Sequence, residues 1–243
     1  MVGTRAHGLR LLSCAIVAAL GTAGAASASG STSRTAASVH VVGSGVVVWP
    51  RVGVRTAPSL HAPVVTTLDE FRQEDYRPQP VLALTARLDA SGRAVWYRIS
   101  IPGRPNGRSG WVPASSIRVK PVDRWLVILR GERRFEFVLR GRVVRSGPVA
   151  VGAPGMETPL GLFYVQAKFR PSEPVLGAYA FQTSAYSKLS DWPGGGVVGV
   201  HGTNTPQLIG QAVSHGCVRL RNADIEYLRS VVLVGTPIKI VAG

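Results

Sequence analysis

From Val46 onward the chain is a series of short runs rich in Val, Ile, Leu and aromatic residues, each cut off by Gly, Pro or Asp turns. Runs this short and this firmly bounded are strands, so the pattern commits the chain to a mostly β fold with few helices. Val46 to Trp49 runs into Pro50, and Gly53 to Arg55 leads to Pro58. Val81 to Leu84 ends near the Asp89–Gly92 turn, Trp96 to Ile101 meets Pro102-Gly103, and Gly110-Trp111-Val112 follows. Strands so closely spaced predict a small barrel over residues 46–119. His61, alone before Ala62-Pro63, reads as a solvent-facing loop residue. Trp96, Tyr97 and Trp111 fit either a core or a ligand platform.

Lys120-Pro121 marks a boundary, and residues 121–243 form a second β-rich unit. Trp125 to Leu129, the Arg130-Gly131-Glu132 turn and the alternating Phe135 to Leu139 predict a hairpin, with Val143-Val144 and Val149 to Val151 extending the sheet. The arginines at 133, 134, 140, 142 and 145 are expected on solvated faces and turns. Gly161 to Val165, Val197 to Val200 and Ile238 to Val241 are further strands. Asn222 reads as the N-cap of one helix running to about Val234, with Ile225, Leu228, Val231 and Val232 at helical spacing and a stop at Gly235 before Pro237. The stretch 171–196 has no clear period and is expected to form a lid, with Gly194-Gly195-Gly196 as its hinge.

Residues 1–28 pass from Arg5 and Arg10 through an apolar stretch, Leu11 to Leu20, to Ala26-Ser27-Ala28, the order of a secretory signal peptide. Cleavage after Ala28 is expected; an uncleaved signal would act as an anchor. Residues 29–45, small and polar, read as a linker. Past the signal no apolar run is long enough to span a bilayer. The net charge of +15 is spread along the chain, with +7 over residues 29–120 and +6 over residues 121–243. That balance fits an anionic cell-wall polymer, while the export signal opposes a nucleic-acid partner. Of the chain's two cysteines, Cys14 lies in the signal, which leaves Cys217 alone in the exported chain. A lone thiol in an oxidising compartment is either buried and inert or kept for its chemistry.

The two histidines of the second unit, His201 and His215, stand 16 and 2 positions before Cys217, in the segments Val198-Gly199-Val200-His201-Gly202-Thr203-Asn204 and Ser214-His215-Gly216-Cys217-Val218-Arg219. A free thiol ionises near 8.5, and an imidazole that takes its proton and stays cationic lowers that value, so a reactive thiolate is the expectation. Gly202 and Gly216 allow close approach or a positive φ, and amides of the Gly216-Cys217 turn could hold an oxyanion. Zinc on His201, His215 and Cys217 is the competing reading, without a paired-ligand spacing to support it.

At these residues the chain resembles the L,D-transpeptidase (YkuD-type) family of cell-wall enzymes, through His201-Gly202-Thr203, Ser214 to Arg219, Asp224 and Gly235-Thr236-Pro237, over about residues 122–241. The form often quoted for the family has Asn where this chain has Arg219. Residues 46–119 resemble a bacterial Src-homology-3-like domain, through Val54-Arg55-Thr56-Ala57-Pro58-Ser59, Trp96-Tyr97-Arg98 and Gly110-Trp111-Val112. The resemblance implies a small Src-homology-3-like barrel followed by a β-rich catalytic domain that needs no cofactor or metal and acts on peptidoglycan stem peptides in the cell wall or a periplasm-like space. Cys217 would attack the carbonyl of the third residue of a tetrapeptide stem, release D-Ala and pass the acyl group to an amine of a second stem. His201 would be the base, oriented by Gly202, while His215, Gly216 and Cys217 frame the oxyanion site. Ser214, Arg219 and Tyr179 would contact substrate, with an Arg219–Asp224 pair as the alternative for Arg219. Hydrolysis by an L,D-carboxypeptidase and a wall-binding protein with weak acyl transfer are the other readings. In all of them the chemistry is expected to reside wholly in residues 121–243.

Overall fold

The first half forms a seven-stranded sheet in the order β3-β2-β6-β5-β4-β1-β7. Its strands are β1 (Ser38–Val47), β2 (Arg51–Arg55), β3 (Val64–Asp69), β4 (Pro80–Leu88), β5 (Ala94–Ser100), β6 (Ser109–Pro113) and β7 (Ile117–Pro121). The structure is a computed structural model that describes residues 38–191 and 194–243. The expected signal segment 1–28, with Cys14, and residues 29–37 lie outside the described residues. The rest of the expected linker is not a linker. Strand β1 pairs with β4 and with β7, so residues 38–45 are inside the sheet. Their Gly and Ser content hides a strand whose stability comes from two neighbouring ladders.

Val47, Val52, Val54, Val81, Ile99 and Val112 pack as the core of this half, and Tyr97 lies against them. Trp96 pairs with Pro113 and Trp111 with Arg98, which places Trp96, Arg98 and Trp111 on the opposite face. His61 is exposed.

The second half contains β8 (Arg124–Leu129), β9 (Arg134–Leu139), β10 (Arg142–Pro148), β11 (Val151–Gly152), β12 (Gly161–Phe169), β13 (Ala180–Tyr186), β14 (Val197–His201), β15 (Ala212–Ser214), β16 (Val218–Arg219), the helix α1 (Asn222–Val231) and β17 (Pro237–Val241). Eight of these strands form one sheet, β10-β9-β8-β17-β12-β13-β14-β16. Register explains the burial pattern. Leu126 faces Phe137 and Ile128 faces Phe135 across the hairpin, and the parallel partner β17 sets Ile238 and Ile240 beside the same two residues. All six are buried. Helix α1 closes this core with Ile225 and Leu228, followed by Val232 just past its end.

Three expectations need correction. Residues 171–196 are not one irregular lid, because β13 occupies the sheet interior between β12 and β14, with Phe181 and Ala185 fully buried. Its sequence, Ala-Phe-Gln-Thr-Ser-Ala-Tyr, carries no apolar alternation because both faces are covered. Residues 149–151 reach the main sheet only through an isolated antiparallel bridge of Ala150 to Arg219 of its edge strand β16; they lead into β11, which forms a two-stranded ribbon with β15. The helix ends at Val231 and not near Val234, since Val232 is already extended and the Leu233 N–H donates to Thr236 Oγ1 at 2.9 Å.

Residues of the two sheets touch directly. The fully buried Tyr164 of β12 donates its hydroxyl to the Pro80 carbonyl at 3.3 Å, and burial pushes its phenol pKa well above the usual range. Arg72, 5% exposed, donates to Gln182 Oε1 of β13 at 3.1 Å and lies 3.2 Å from the Asp75 carboxylate. Among the described residues no helix is long and apolar enough to cross a membrane.

Candidate active site

The site lies where β14 and β16 run side by side. Their parallel register sets Val200 beside Val218 and His201 beside Arg219, which brings Cys217, immediately before β16, next to Gly199 on β14. The Gly199 N–H donates to Cys217 Sγ at 3.2 Å. A Cβ built on Gly199 would sit 3.7 Å from that sulfur and 3.4 Å from His201 Cδ2. Thiol and imidazole therefore flank one glycine, although they stand 16 positions apart in sequence.

His201 is 3% exposed, and its Nδ1 lies 2.6 Å from the Gly202 carbonyl. With Nδ1–H donating there, Nε2 is the basic nitrogen. The Gly202–Thr203 strap is in turn clamped by Asn222. Its Oδ1 accepts from the Thr203 N–H at 3.1 Å and the Ala178 N–H at 3.0 Å, and its Nδ2 donates to the Thr203 carbonyl at 3.1 Å. Asn222 is thus not the N-cap expected of it: Arg221 occupies that position and makes no side-chain cap. At Gly202 a Cβ would run into Asn222 Oδ1, so the clamp demands glycine there.

The turn before Cys217 is closed by Ser214. Its hydroxyl donates to the Cys217 carbonyl at 2.6 Å and accepts the Gly216 N–H at 3.2 Å. Ser214 is fully buried, so its hydroxyl braces the turn. Gly216 adopts φ +118°, a conformation that disfavours any side chain. Its N–H is held inward by Ser214, which corrects the expectation that Gly216 offers its own amide to an oxyanion.

Electrostatics overturn the reactive-thiolate expectation for the resting site. Burial is the main force on His201 and, joined by the nearby Arg219 charge, lowers its pKa to about 4 against the support of the Gly202 and Leu176 carbonyls. Burial also raises the Cys217 thiol, against the Gly199 hydrogen bond and the Arg219 charge. The resting pair is therefore neutral thiol and neutral imidazole. Alkylation of Cys217 should rise with pH through a pKa above that of a free thiol, with no acid plateau; a plateau at pH 5 would contradict the neutral pair. Stability should respond as well. Between pH 6.5 and 4 the unfolded chain binds a proton on His201 that the folded chain refuses, so stability is full above this window and falls as pH drops through it. The loss should approach about 3 kcal/mol, measured as the pH slope of urea unfolding.

A model of the YkuD family, described as the L,D-transpeptidase catalytic domain, matches residues 123–240. The protein named L,D-transpeptidase YkuD in Bacillus subtilis (strain 168) is 36% identical over 150 residues, spanning 62% of this chain and 78% of that protein. The chain belongs to the YkuD family of L,D-transpeptidases. The YkuD protein of Bacillus licheniformis is 38% identical over 118 residues, covering 48% of this chain and 64% of its own length. A solved L,D-transpeptidase from Mycobacterium smegmatis aligns with 18% identity and a TM-score of 0.41, over 60% of this chain and 90% of that one.

In this YkuD-family chain the remaining expected residues separate. Arg219 is half-buried, faces both Cys217 and His201 electrostatically, and has a buried Nε without a hydrogen-bond partner. The expected pair with Asp224 does not form, because Arg145 takes that carboxylate at 2.6 Å. Arg145 is correspondingly not on a simple solvated face. Tyr179 is half-buried, edge-on to Phe181 at 6.0 Å with the Arg229 guanidinium of the helix 5.5 Å from its ring centre. Its carbonyl accepts the Gly202 N–H at 3.0 Å, a supporting contact for the His201 strap. His215 is half-buried within the turn. Among the described residues no three His, Cys, Asp or Glu side chains converge as metal ligands. Gly199 and Asn222 were the functional residues missed. Neither carries a reactive group, and the only sequence signal was their nearness to His201 and to the start of the helix.

Proposed function

We propose that the chain is an exported peptidoglycan L,D-transpeptidase working by cysteine acyl transfer. The observation that carries this reading is the convergence of the Cys217 thiol and the His201 imidazole on Gly199. Because the resting pair is neutral, the Cys217 proton moves to His201 Nε2 as sulfur attacks the carbonyl of the third stem residue. The sulfur–carbon bond forms, the carbonyl electrons move to oxygen, and the Cys217 N–H is the donor of the turn left to face that oxyanion once Ser214 holds Gly216. Collapse breaks the bond to D-Ala, whose nitrogen takes the proton from His201, and leaves a thioester. An acceptor amine then attacks, gives its proton to His201, and expels the Cys217 sulfur, which recovers that proton. One amide is exchanged for another, so no cofactor is required. Arg219, unpaired at Nε beside both groups, is the candidate for holding a stem carboxylate.

The signal segment and the distributed positive charge support export to an anionic wall. The face shared by Trp96, Arg98 and Trp111 supports a wall-facing role for the Src-homology-3-like half. Intact-mass analysis of the mature protein with a defined tetrapeptide stem tests the reading. An adduct of the stem less D-Ala, passed to an added amine acceptor, is the expected result. Hydrolysis in the presence of acceptor would mean carboxypeptidase chemistry, and the absence of both adduct and D-Ala would reject acyl transfer.

A further inference from the structure

We infer that the first half of the chain completes the catalytic site: Arg104 and Asn106, on the β5–β6 loop, are positioning residues for the Gly216-Cys217 turn. The inference rests on the acyl-transfer reading and departs from the expectation that residues 121–243 suffice.

The route is short. Strand β13 ends at Tyr186, and Asn106 meets that residue as an extra strand would, donating from Nδ2 to the Tyr186 carbonyl at 2.7 Å and accepting its N–H at 2.9 Å. Arg104 gathers the chain that follows. Its guanidinium donates to the carbonyls of Ser187 at 3.1 Å, Leu189 at 2.8 Å and Gly195 at 2.8 Å, and lies 5.0 Å from the Tyr186 ring centre. The expected hinge at Gly194 to Gly196 is consequently a fastened turn, since the Gly196 carbonyl also accepts the Ser187 N–H at 2.8 Å.

Ser187 is the link to the chemistry. It is buried, and a Cβ built on Gly216 would lie 2.8 Å from the Ser187 Cβ. The backbone gathered by Arg104 therefore forms the wall against which the Gly216 turn is seated, one residue before the nucleophile. The same strand β13 pairs at its other end with β14, Ala180 beside His201 and Gln182 beside Gly199. Arg72 of the first half holds Gln182 from outside, so both ends of β13 are fixed by side chains from loops of the first half.

A guanidinium suits this place because its planar fork can serve several carbonyls at once, whereas a lysine ammonium is a point charge on a flexible stem. No charge partner is needed, since backbone carbonyls supply the negative ends. If the wall shifts, the turn shifts with it, and a displacement of about 1 Å at a reacting centre costs on the order of 10²-fold in rate.

The test compares two reactions of Cys217 in the full chain. Acylation by a carbapenem needs the oxyanion turn; alkylation by iodoacetamide needs only the thiol. Arg104→Ala and Asn106→Ala should lower the acylation rate at saturating reagent by about 10- to 100-fold. Alkylation should stay within about twofold of wild type. Arg104→Lys should recover part of the loss. Acylation unchanged in both alanine variants would overturn the inference alone. Acylation and alkylation falling together, with an earlier urea transition, would make the pair a general stability contact and overturn it as well. Asn106→Gln, which keeps an amide donor and acceptor on a longer side chain, supplies a milder variant should the alanine proteins fail to fold, and a smaller loss of acylation with unchanged alkylation is expected of it, while unchanged acylation would overturn the inference. Wild-type protein that takes no acyl group from carbapenem or stem would reject the acyl-transfer reading itself, and this inference with it.

Discussion

Cys217→Ala protein should fold, bind no acyl group and release no D-Ala, a loss on the order of 10⁴-fold or more. The sulfur is the nucleophile in the proposed exchange, and the chain's other cysteine, Cys14, lies in the expected signal segment and leaves with it if that segment is cleaved. The fold should survive because the Cys217 side chain is small and its turn is held by the Ser214 hydroxyl bonds and the Gly216 backbone, none of which uses sulfur. The change leaves the Gly199 N–H without its acceptor, a cost of about 1 to 3 kcal/mol, readable as a lower urea midpoint with an unchanged slope. A folded variant that still liberates D-Ala from a tetrapeptide stem would remove Cys217 from the mechanism.

His201→Ala should reduce acylation by about 10²- to 10⁴-fold, the usual range for losing a general base. His215→Ala should cost less than about tenfold. The difference follows from placement. His201 is anchored on β14 with Nδ1 tied to Gly202, which leaves Nε2 as the basic nitrogen, and its ring borders the same glycine as the thiol. His215 stands within the turn, only two residues from Cys217, where the backbone limits how its ring can approach the sulfur. The stability profile supplies an independent check. The fall in stability between pH 6.5 and 4 should vanish in His201→Ala, because the group that resists protonation is gone. Should His215→Ala prove the more damaging change, the two roles would be exchanged.

Much of the architecture was legible before any coordinates. Strands with alternating Leu, Ile and Phe, such as β8, β9 and β17, announce themselves because one period-two face is buried and the other is not. The helix was legible from Ile225 and Leu228 for the same reason at a different period. Strands β1 and β13 were not. One is built of Ser, Gly and Val with a single His, and the other is buried on both faces, so neither carries an alternating signal. The site divides in the same way. Cys217 and His201 stood out as reactive types in a chain with few of either, and their surrounding glycines marked tight backbone.

Their neutrality could not be read from the sequence, because burial and the position of the Arg219 charge are properties of packed atoms. Residue order also could not show that Asp224 pairs with Arg145, that Asn222 clamps the His201 strap, or that Arg104 and Asn106 cross from one sheet to brace the turn at Gly216. Local sequence sets which segments become strands and which side chains carry chemistry, since those depend on period and functional group. The state and alignment of those groups depend on distances of a few ångströms between residues up to 110 positions apart. Only the folded chain sets those distances.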